Sequence, residues 1–545
     1  MNVAEAIVEI LKREGIDTLF AYPINSLIET AARADIRTVI VRQERVGLHM
    51  ADAYARLSSG DKIGAFAMQH GPGAENAFGG VAQCYSESVP VLVLPAGYSR
   101  QQMFTDPQYS SFLNLDRVTK SNEVLLVAEH VPEVMRRAFT ALRNGRPRPA
   151  AVEIPRDMWG EEVPEPLNYT PALVARYGPD PSDVAAVADA IATAERPVFY
   201  VGQGVHYAKA WSELRTFAEQ WSIPVATSIE GKSAFPESHP LSLGSGGKSM
   251  PTAVRTFLDD ADLIIGVGVS YTRTGYGVKM PKGARLVHCT VDPGDLQKDL
   301  HTEFALIGDA QLTLQALLDE LAGRSTTTAE NRRGRVEAEI AKLHTDFKAQ
   351  WAPKLNSVAT PIDPYRVVAE LGRALHGVEA VVTHDAGSAR DQMVPFWQSD
   401  EPLSYLGWGK TTQLGYGLGL AMGAKLVRPD AVCVNVWGDA AIGFTGMDFE
   451  TAARENLPVL SILMNNFSMA GELGIMAVAQ EKFGSCDISG NYADFATALG
   501  GYGERVSDPS HIAAAIERGI AKTREGTPAL LEFITAQDLN YALPN

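Results

Sequence analysis

VCVNVWGDAAIGFTGMDFETAARENLPVLSILMNN, Val432 to Asn466, is the stretch whose reading decides the fold. It opens with an apolar, partly β-branched run, Val432 to Trp437, that reads as a buried strand. Gly438-Asp439 follows as a turn. Asp448 to Glu455 reads as a helix, with Asp448 at its N-cap and Glu450 in its first turn. A second apolar run, Pro458 to Met464, ends at Asn465-Asn466. A strand-helix-strand unit with a crossover of this length predicts two parallel strands. Asp439 then leaves the carboxyl end of one strand and Asn466 that of the next, the edge where open parallel sheets bind ligands. Two hard oxygen ligands on adjacent loops suit Mg²⁺, which takes a few protein oxygens and fills its octahedron with phosphate. Either residue alone is an ordinary turn former. Their pairing in one crossover unit favours the ligand reading.

Outward from this stretch, the 545-residue chain is long enough for several cores. The expectation is an α/β protein of three doubly wound domains: 1–165, 183–323 and 356–545. In the first, Thr38 to Arg42, Ile63 to Met68 and Val89 to Leu94 read as strands. Pro164, Pro166, Pro171, Pro179 and Pro181 then mark an extended linker. In the second, Val198 to Val201, Asp262 to Gly268 and Arg285 to Asp292 read as strands. The turns Gly202-Gln203-Gly204 and Gly266-Val267-Gly268 invite a dinucleotide reading, but neither is a full GxGxxG followed by an acidic residue, so the structural reading is preferred. Arg324 to Leu355 reads as a polar linker followed by a helix.

With 48 basic and 65 acidic residues the formal charge is −17, which disfavours nucleic acid or anionic membrane as a partner. No apolar run is long enough for a membrane span. The N-terminal MNVAEAIVEILKREG carries acidic residues at helical spacing and reads as an amphipathic helix, not a signal peptide. Cys84, Cys289, Cys433 and Cys486 are far apart and read as buried, reduced thiols of a cytoplasmic protein.

The run Gly438-Asp439-Ala440, with Asn465-Asn466 after it, closely resembles the GDG…NN fingerprint of thiamine-diphosphate enzymes, with Ala440 where the family usually has a second glycine. The resemblance implies thiamine diphosphate and Mg²⁺, the metal held by Asp439, Asn466 and the backbone carbonyl of Ser468. It implies that Gly438, Ala440 and Ala441 lie beside the diphosphate. VRQERVGLHMADAYAR, Val41 to Arg56, closely resembles the RHEQGAAHMADGYAR segment of acetolactate synthases and their relatives. Glu44 is thereby the implied acid that faces the pyrimidine N1′, although a Glu opening a helix also suits the helix dipole. His70-Gly71-Pro72-Gly73 with Asn76 resembles SGPGxxN, a loop that closes over the partner's cofactor, so Gly73 and Asn76 are implied cofactor contacts. Gln69 and His70 stand for the usual Thr and Ser. His70 is either a substrate-facing acid-base group or a satisfied loop histidine. Tyr22 to Ser26 (YPINS) stands where relatives have YPGG.

His384 to Ser388 (HDAGS), after the strand Ala380 to Thr383, resembles the TDVG loop, which makes Gly387 and Ser388 diphosphate contacts. Gly407 to Gly423 resembles SGGLGTMGFGLPAAIGA. Leu414 then falls on the bulky residue under the bent cofactor, and the Thr412 carbonyl on the contact to the 4′-amino group. Glu472 falls where pyruvate-decarboxylase-like relatives carry a pocket Glu. It is either a solvated helix residue or, if buried, a proton donor after decarboxylation. Ala234 to Glu237, His239 to Leu241 and Val291 to Pro293 extend the likeness through the middle domain. Some relatives hold FAD there, with an Arg-containing loop after the GVG strand. Ser270 to Arg273 fits that loop only loosely, so FAD is possible but not favoured.

The implied activity is ligation of the acyl unit of a 2-oxo acid, pyruvate first, to a second carbonyl, as in acetolactate synthases. Simple decarboxylation and carbon–carbon cleavage or ligation of hydroxyketones or diketones are the alternatives within the family. A flavin or nicotinamide oxidoreductase using the middle domain is the alternative from another class. The family's site lies between two chains, so a homodimer or homotetramer is implied.

Overall fold

In a computed structural model of the protein, which describes residues 1–543, three sheets follow one another along the chain, each of six strands. The first contains β1 (Thr18–Ala21), β2 (Arg37–Ile40), β3 (Gly64–Met68), β4 (Val91–Gly97), β5 (Ser121–Val124) and β6 (Ala150–Pro155), in the order β2-β1-β3-β4-β6-β5. The second contains β7 (Pro197–Val201), β8 (Val225–Ser228), β9 (Ser242–Gly246), β10 (Leu263–Val267), β11 (Arg285–Thr290) and β12 (Phe304–Ile307), in the order β12-β11-β10-β7-β8-β9. The third contains β13 (Ala380–His384), β14 (Tyr405–Leu406), β15 (Val432–Gly438), β16 (Leu460–Asn465), β17 (Tyr502–Val506) and β18 (Ala529–Ile534), in the order β14-β13-β15-β16-β18-β17. Every pairing among these strands is parallel, with helices between them, so each domain is doubly wound α/β. The first and third sheets share one strand order. The second differs and reverses direction between β7 and β10.

The deciding stretch forms adjacent parallel strands, with Val434 opposite Leu460 and Gly438 opposite Met464. β15 is apolar on both faces because helices cover both faces of the sheet, and its one amide, Asn435, is buried with its oxygen accepting the Ser461 hydroxyl at 2.8 Å. The connection differs from expectation. Gly438 is a helix N-cap, and Asp439–Thr445 is helical where a turn was expected. A 3-10 turn, Gly446–Asp448, separates it from a second short helix, Phe449–Arg454. Asp448 stands at the N-cap of that helix but makes no side-chain cap bond, because its carboxylate is engaged by the first domain.

The first and third domains cross through two helices, Glu44–Leu57 and Tyr416–Val427. A Cβ on Gly419 would stand 2.4 Å from the His49 Cβ, and one on Gly423 would stand 2.4 Å from the Met50 carbonyl. The glycines of the second helix thus let the two backbones approach. Buried Asp52 accepts from Arg56 at 2.6 Å and from the Tyr416 hydroxyl, and Arg56 donates to the Gly407 carbonyl at 2.8 Å. The N-terminal helix, Val3–Arg13, opens with an Asn2–Glu5 capping box. From Pro164 to Asp180 no helix or strand forms, yet Leu167 and Tyr169 are buried against the first domain. The expected helix after Arg324 runs over Thr327–Leu355. The four cysteines are buried and unpaired. Among the described residues no helix is long and apolar enough to cross a membrane.

Candidate active site

The carboxyl edge of the third sheet brings together the residues expected to hold metal and diphosphate. β13, β15 and β16 are neighbours there. Asp439 is buried; its Oδ2 accepts the Ser468 N–H at 3.1 Å, and Asn466 Oδ1 accepts the same N–H at 3.0 Å. One N–H therefore draws both candidate ligand oxygens to one point. The Ser468 hydroxyl oxygen is buried with no partner. The other asparagine of the pair has a different task. Asn465 points back into the sheet, donating to Glu532 at 2.7 Å and accepting from the Phe467 N–H at 3.0 Å. Burial raises the Asp439 pKa, opposed by the N–H groups of Ser468, Ala440 and Phe467. A divalent cation would reverse the effect of burial by stabilising the ionised form.

Gly387 caps the short helix Ser388–Met393 at φ 77°, and a Cβ on it would meet nothing within 4 Å. Neither it nor Gly438 makes a side-chain cap bond; the Ala440 N–H donates to Asp439 Oδ1 at 3.0 Å, and other first-turn N–H groups remain as donors. The donor set and the open space at Gly387 fit a metal-bound diphosphate. Ser388 Oγ lies 2.7 Å from the Tyr541 hydroxyl.

Leu414 is held by its neighbour. The Gly415 N–H donates to Asp385 Oδ1 at 2.9 Å, the Gly417 N–H to Oδ2 at 3.0 Å, and the Gly415 carbonyl accepts from Thr445 at 2.8 Å. Gly415 has φ 85°, and a Cβ there would strike Thr445, so the turn requires glycine. Thr412, at φ 36°, lies in the same loop. Asp385 thus links the HDAG loop to the Leu414 loop.

Glu44 opens its helix at the end of β2 and is 3% exposed. Burial raises its pKa, opposed by its own N–H, by a hydrogen bond from Asn76 and by Arg45. It lines a cleft of about 810 Å³ with Tyr22, Gln69, Asn76 and the Ile442–Asp448 segment. Gly387, Leu414, Asp439, Asn466 and Ser468 are not among the residues lining it.

Three family descriptions match the chain along its length. The N-terminal TPP binding domain of thiamine pyrophosphate enzymes matches 1–110, their central domain 184–317, and their C-terminal TPP binding domain 385–533. An acetolactate synthase large subunit of Parasynechococcus marenigrum is 30% identical over 85% of this chain and 76% of its own. The chain belongs to the thiamine pyrophosphate enzyme family. A probable acetolactate synthase large subunit of Methanococcus aeolicus is 27% identical over 98% of this chain and 92% of its own. The acetolactate synthase isozyme 3 large subunit of Escherichia coli is 27% identical over 100% and 96%. The protein is an acetolactate-synthase-like, thiamine-diphosphate-dependent enzyme of this family.

Where the chain departs from the family pattern, the structure gives some departures a packing reason. Asn25, in place of a glycine, donates to the carbonyls of Met68 and Leu94 at 2.9 and 3.0 Å, and so ties the end of β3 to the middle of β4. Ile24 beside it is 78% exposed. His70 is half-buried against the Tyr98 ring at 4.5 Å; burial first and Arg156 second lower its pKa, which favours the neutral imidazole. Glu472 is exposed on the 3-10 turn Ala470–Glu472, so within one chain it lacks the burial on which a proton-donor role depends. In the central domain a crevice of about 1000 Å³ lies at the β7/β10 reversal. A Cβ on Gly204 would stand 2.6 Å from the Gly268 Cα, so these turn glycines serve to pack the two turns together. Sequence reading did not identify Asp385, Asp448 or Tyr98 as parts of the site. Asp385 had a signal, its place in the HDAG loop. The other two act through distant chain segments.

Proposed function

We propose that the protein joins the acyl unit of a 2-oxo acid, pyruvate first, to a second carbonyl compound, releasing CO₂. The convergence of Asp439 Oδ2 and Asn466 Oδ1 on one N–H, at neighbouring strand ends in a family that uses thiamine diphosphate, is the observation that carries this reading. Asp439, Asn466 and the Ser468 carbonyl would hold Mg²⁺. Gly387, Ser388, Gly438, Ala440 and Ala441 would face the diphosphate. Leu414 and the Thr412 carbonyl would hold the bend and the 4′-amino group. The bound cofactor supplies the carbon nucleophile and the electron sink.

Glu44 holds and releases the proton at N1′, a task suited to a carboxyl whose burial keeps it protonated more readily than usual. Gly73 and Asn76 close over the cofactor beside it. Gln69 and His70 face the substrate, with the neutral imidazole able to accept or donate a proton. The family's site lies between two chains, so each site would take Glu44 from one copy and the metal ligands from another. The assembly is then a homodimer or homotetramer. The buried, unpaired cysteines fit a cytoplasmic setting.

Purified protein with thiamine diphosphate, Mg²⁺ and pyruvate should release CO₂ and form acetolactate. Glu44→Gln should lose about 10²–10⁴-fold in turnover while still binding cofactor; full activity in that variant would remove Glu44 from its role. Acetaldehyde as the product would make the protein a decarboxylase, a reading that Glu472 exposure does not favour. A second reading, cleavage or ligation of hydroxyketones or diketones, draws on the His70–Tyr98 wall. Bound cofactor with no CO₂ from pyruvate would favour it.

A further inference from the structure

β2 is the edge strand of the first sheet, but its outer side is not left to solvent. The short helix Phe449–Arg454 of the third domain and the residues flanking it lie along it. Asp448 Oδ1 accepts the Arg42 N–H at 2.7 Å and the Thr451 hydroxyl at 2.9 Å. The Arg42 guanidinium lies 3.7 Å from Glu450. Arg454 donates to the Ile40 carbonyl at 2.6 Å, and Arg37 donates to the Glu455 carbonyl at 3.2 Å. The contacts run along the strand to Arg42, and past Glu44 the Arg45 guanidinium lies over the Phe444 ring at 5.9 Å.

Glu44 needs such support. The N-cap of its helix, Gln43, makes no side-chain cap bond; the Val46 N–H donates to the Gln43 carbonyl at 3.0 Å, and between Val41 and Gln43 the hold on the entering chain comes from the third domain through Arg42. Asp448 is fully buried, and its Oδ2 has no partner. Burial pushes the Asp448 pKa up to about 7, so what holds the Arg42 backbone is the acceptor oxygen itself, placed by a buried side chain of another domain. Asp448 also ends the continuous run that begins at the metal candidate Asp439.

We infer that Asp448 is a positioning residue for Glu44: by holding the Arg42 N–H it sets where the carboxyl stands relative to the cofactor. This rests on Glu44 being the N1′ acid. No other part of the proposed site depends on it.

Three measurements on the full-length protein test this. Backbone amide exchange of the peptide around Arg42–Glu44, without cofactor, should speed up roughly tenfold or more in Asp448→Ala. In the same variant, exchange of the C2 proton of bound thiamine diphosphate should slow roughly ten- to hundredfold, while affinity for the cofactor changes less than about threefold. Asp448→Asn keeps an acceptor oxygen for the Arg42 N–H and should stay within about threefold of wild type in both exchanges. Arg454→Met, at the half-exposed end of the clamp, should move both exchanges the same way by less, which covers an Asp448→Ala chain that fails to fold. Wild-type exchange rates in Asp448→Ala, or an Asp448→Asn variant as impaired as Asp448→Ala, would overturn the inference. Absence of C2 exchange in the wild type would instead overturn the cofactor reading, and the inference with it.

Discussion

Burial, as the largest cause, tunes two kinds of titrating residue in opposite directions here, and both are useful. Glu44 is held toward its protonated form, as a proton-sharing acid requires. His384 is held neutral: burial first and Arg390 second lower its pKa to about 3. Its ring stacks on Trp408 at 5.0 Å, behind the loop that carries Asp385 and Gly387. The neutral form has one proton on Nδ1, facing the Asp385 carbonyl at 3.1 Å, and a free acceptor, Nε2, toward the Trp408 N–H at 3.4 Å. In the unfolded chain this histidine titrates near 6.5, so as pH falls below that value the unfolded state takes up a proton that the folded state refuses. Stability is therefore present above about 6.5 and is lost progressively as pH falls toward 3. His384→Gln should flatten the stability–pH curve between these values by up to one proton, about 1.4 kcal/mol per pH unit, in urea titrations at a series of pH values. An unchanged slope would mean that the ring is protonated in the folded protein.

At the scale of elements, the crossing of Glu44–Leu57 with Tyr416–Val427 is the tightest joint between the first and third domains. Gly423→Ala puts a methyl 2.4 Å from the Met50 carbonyl, a backbone atom that cannot swing aside. It should destabilise by about 1–3 kcal/mol in chemical denaturation. Gly372→Ala, in a helix with nothing within 4 Å of the added carbon, should stabilise by roughly 0.5–1 kcal/mol. Elements of this kind divide what the sequence could reveal from what it could not. β15 and β16 were legible because a continuous apolar run bounded by turn residues has few other readings, and their parallel pairing followed from the crossover length. The Asp439–Thr445 helix was not legible: its glycines argue for a turn, and only packing of Ala441 and Ile442 against the core makes it helical. Asp439, Asn466 and Glu44 stood out because each sits in a recognisable local pattern. Asp448 did not, because its partner is 406 residues away and no local pattern records that contact.

For the whole molecule, the equal strand order of the first and third sheets is a repeat that no sequence period betrays. Strand order depends on where chains cross over, not on which residues line them. In the third sheet the ends of the third and fourth strands carry Asp439 and Asn466. In the first, the equivalent ends carry Gln69-His70 and Tyr98. On the proposed function, one scaffold would present metal ligands in one copy and a substrate wall in the other. If each site takes Glu44 from one chain and Asp439 from another, two inactive variants must complement. Chains carrying Glu44→Gln, co-expressed with chains carrying Asp439→Asn, should yield about a quarter of wild-type turnover, since half the dimers are mixed and each holds one intact site. Each variant alone should be nearly inactive. No recovery in the mixture would place the whole site within one chain.

The cover over β2 has a consequence for how the protein is made. An uncovered edge strand is a template for pairing with another chain. Arg42 is added 406 residues before Asp448, and the last strand of the first sheet ends at Pro155, 293 residues before it. At about 5–20 residues per second the completed first sheet waits roughly 15–60 s with that edge bare. Through that interval the nascent first domain is the aggregation-prone species, and it is chaperones acting during synthesis that would decide how much finished enzyme a cell obtains.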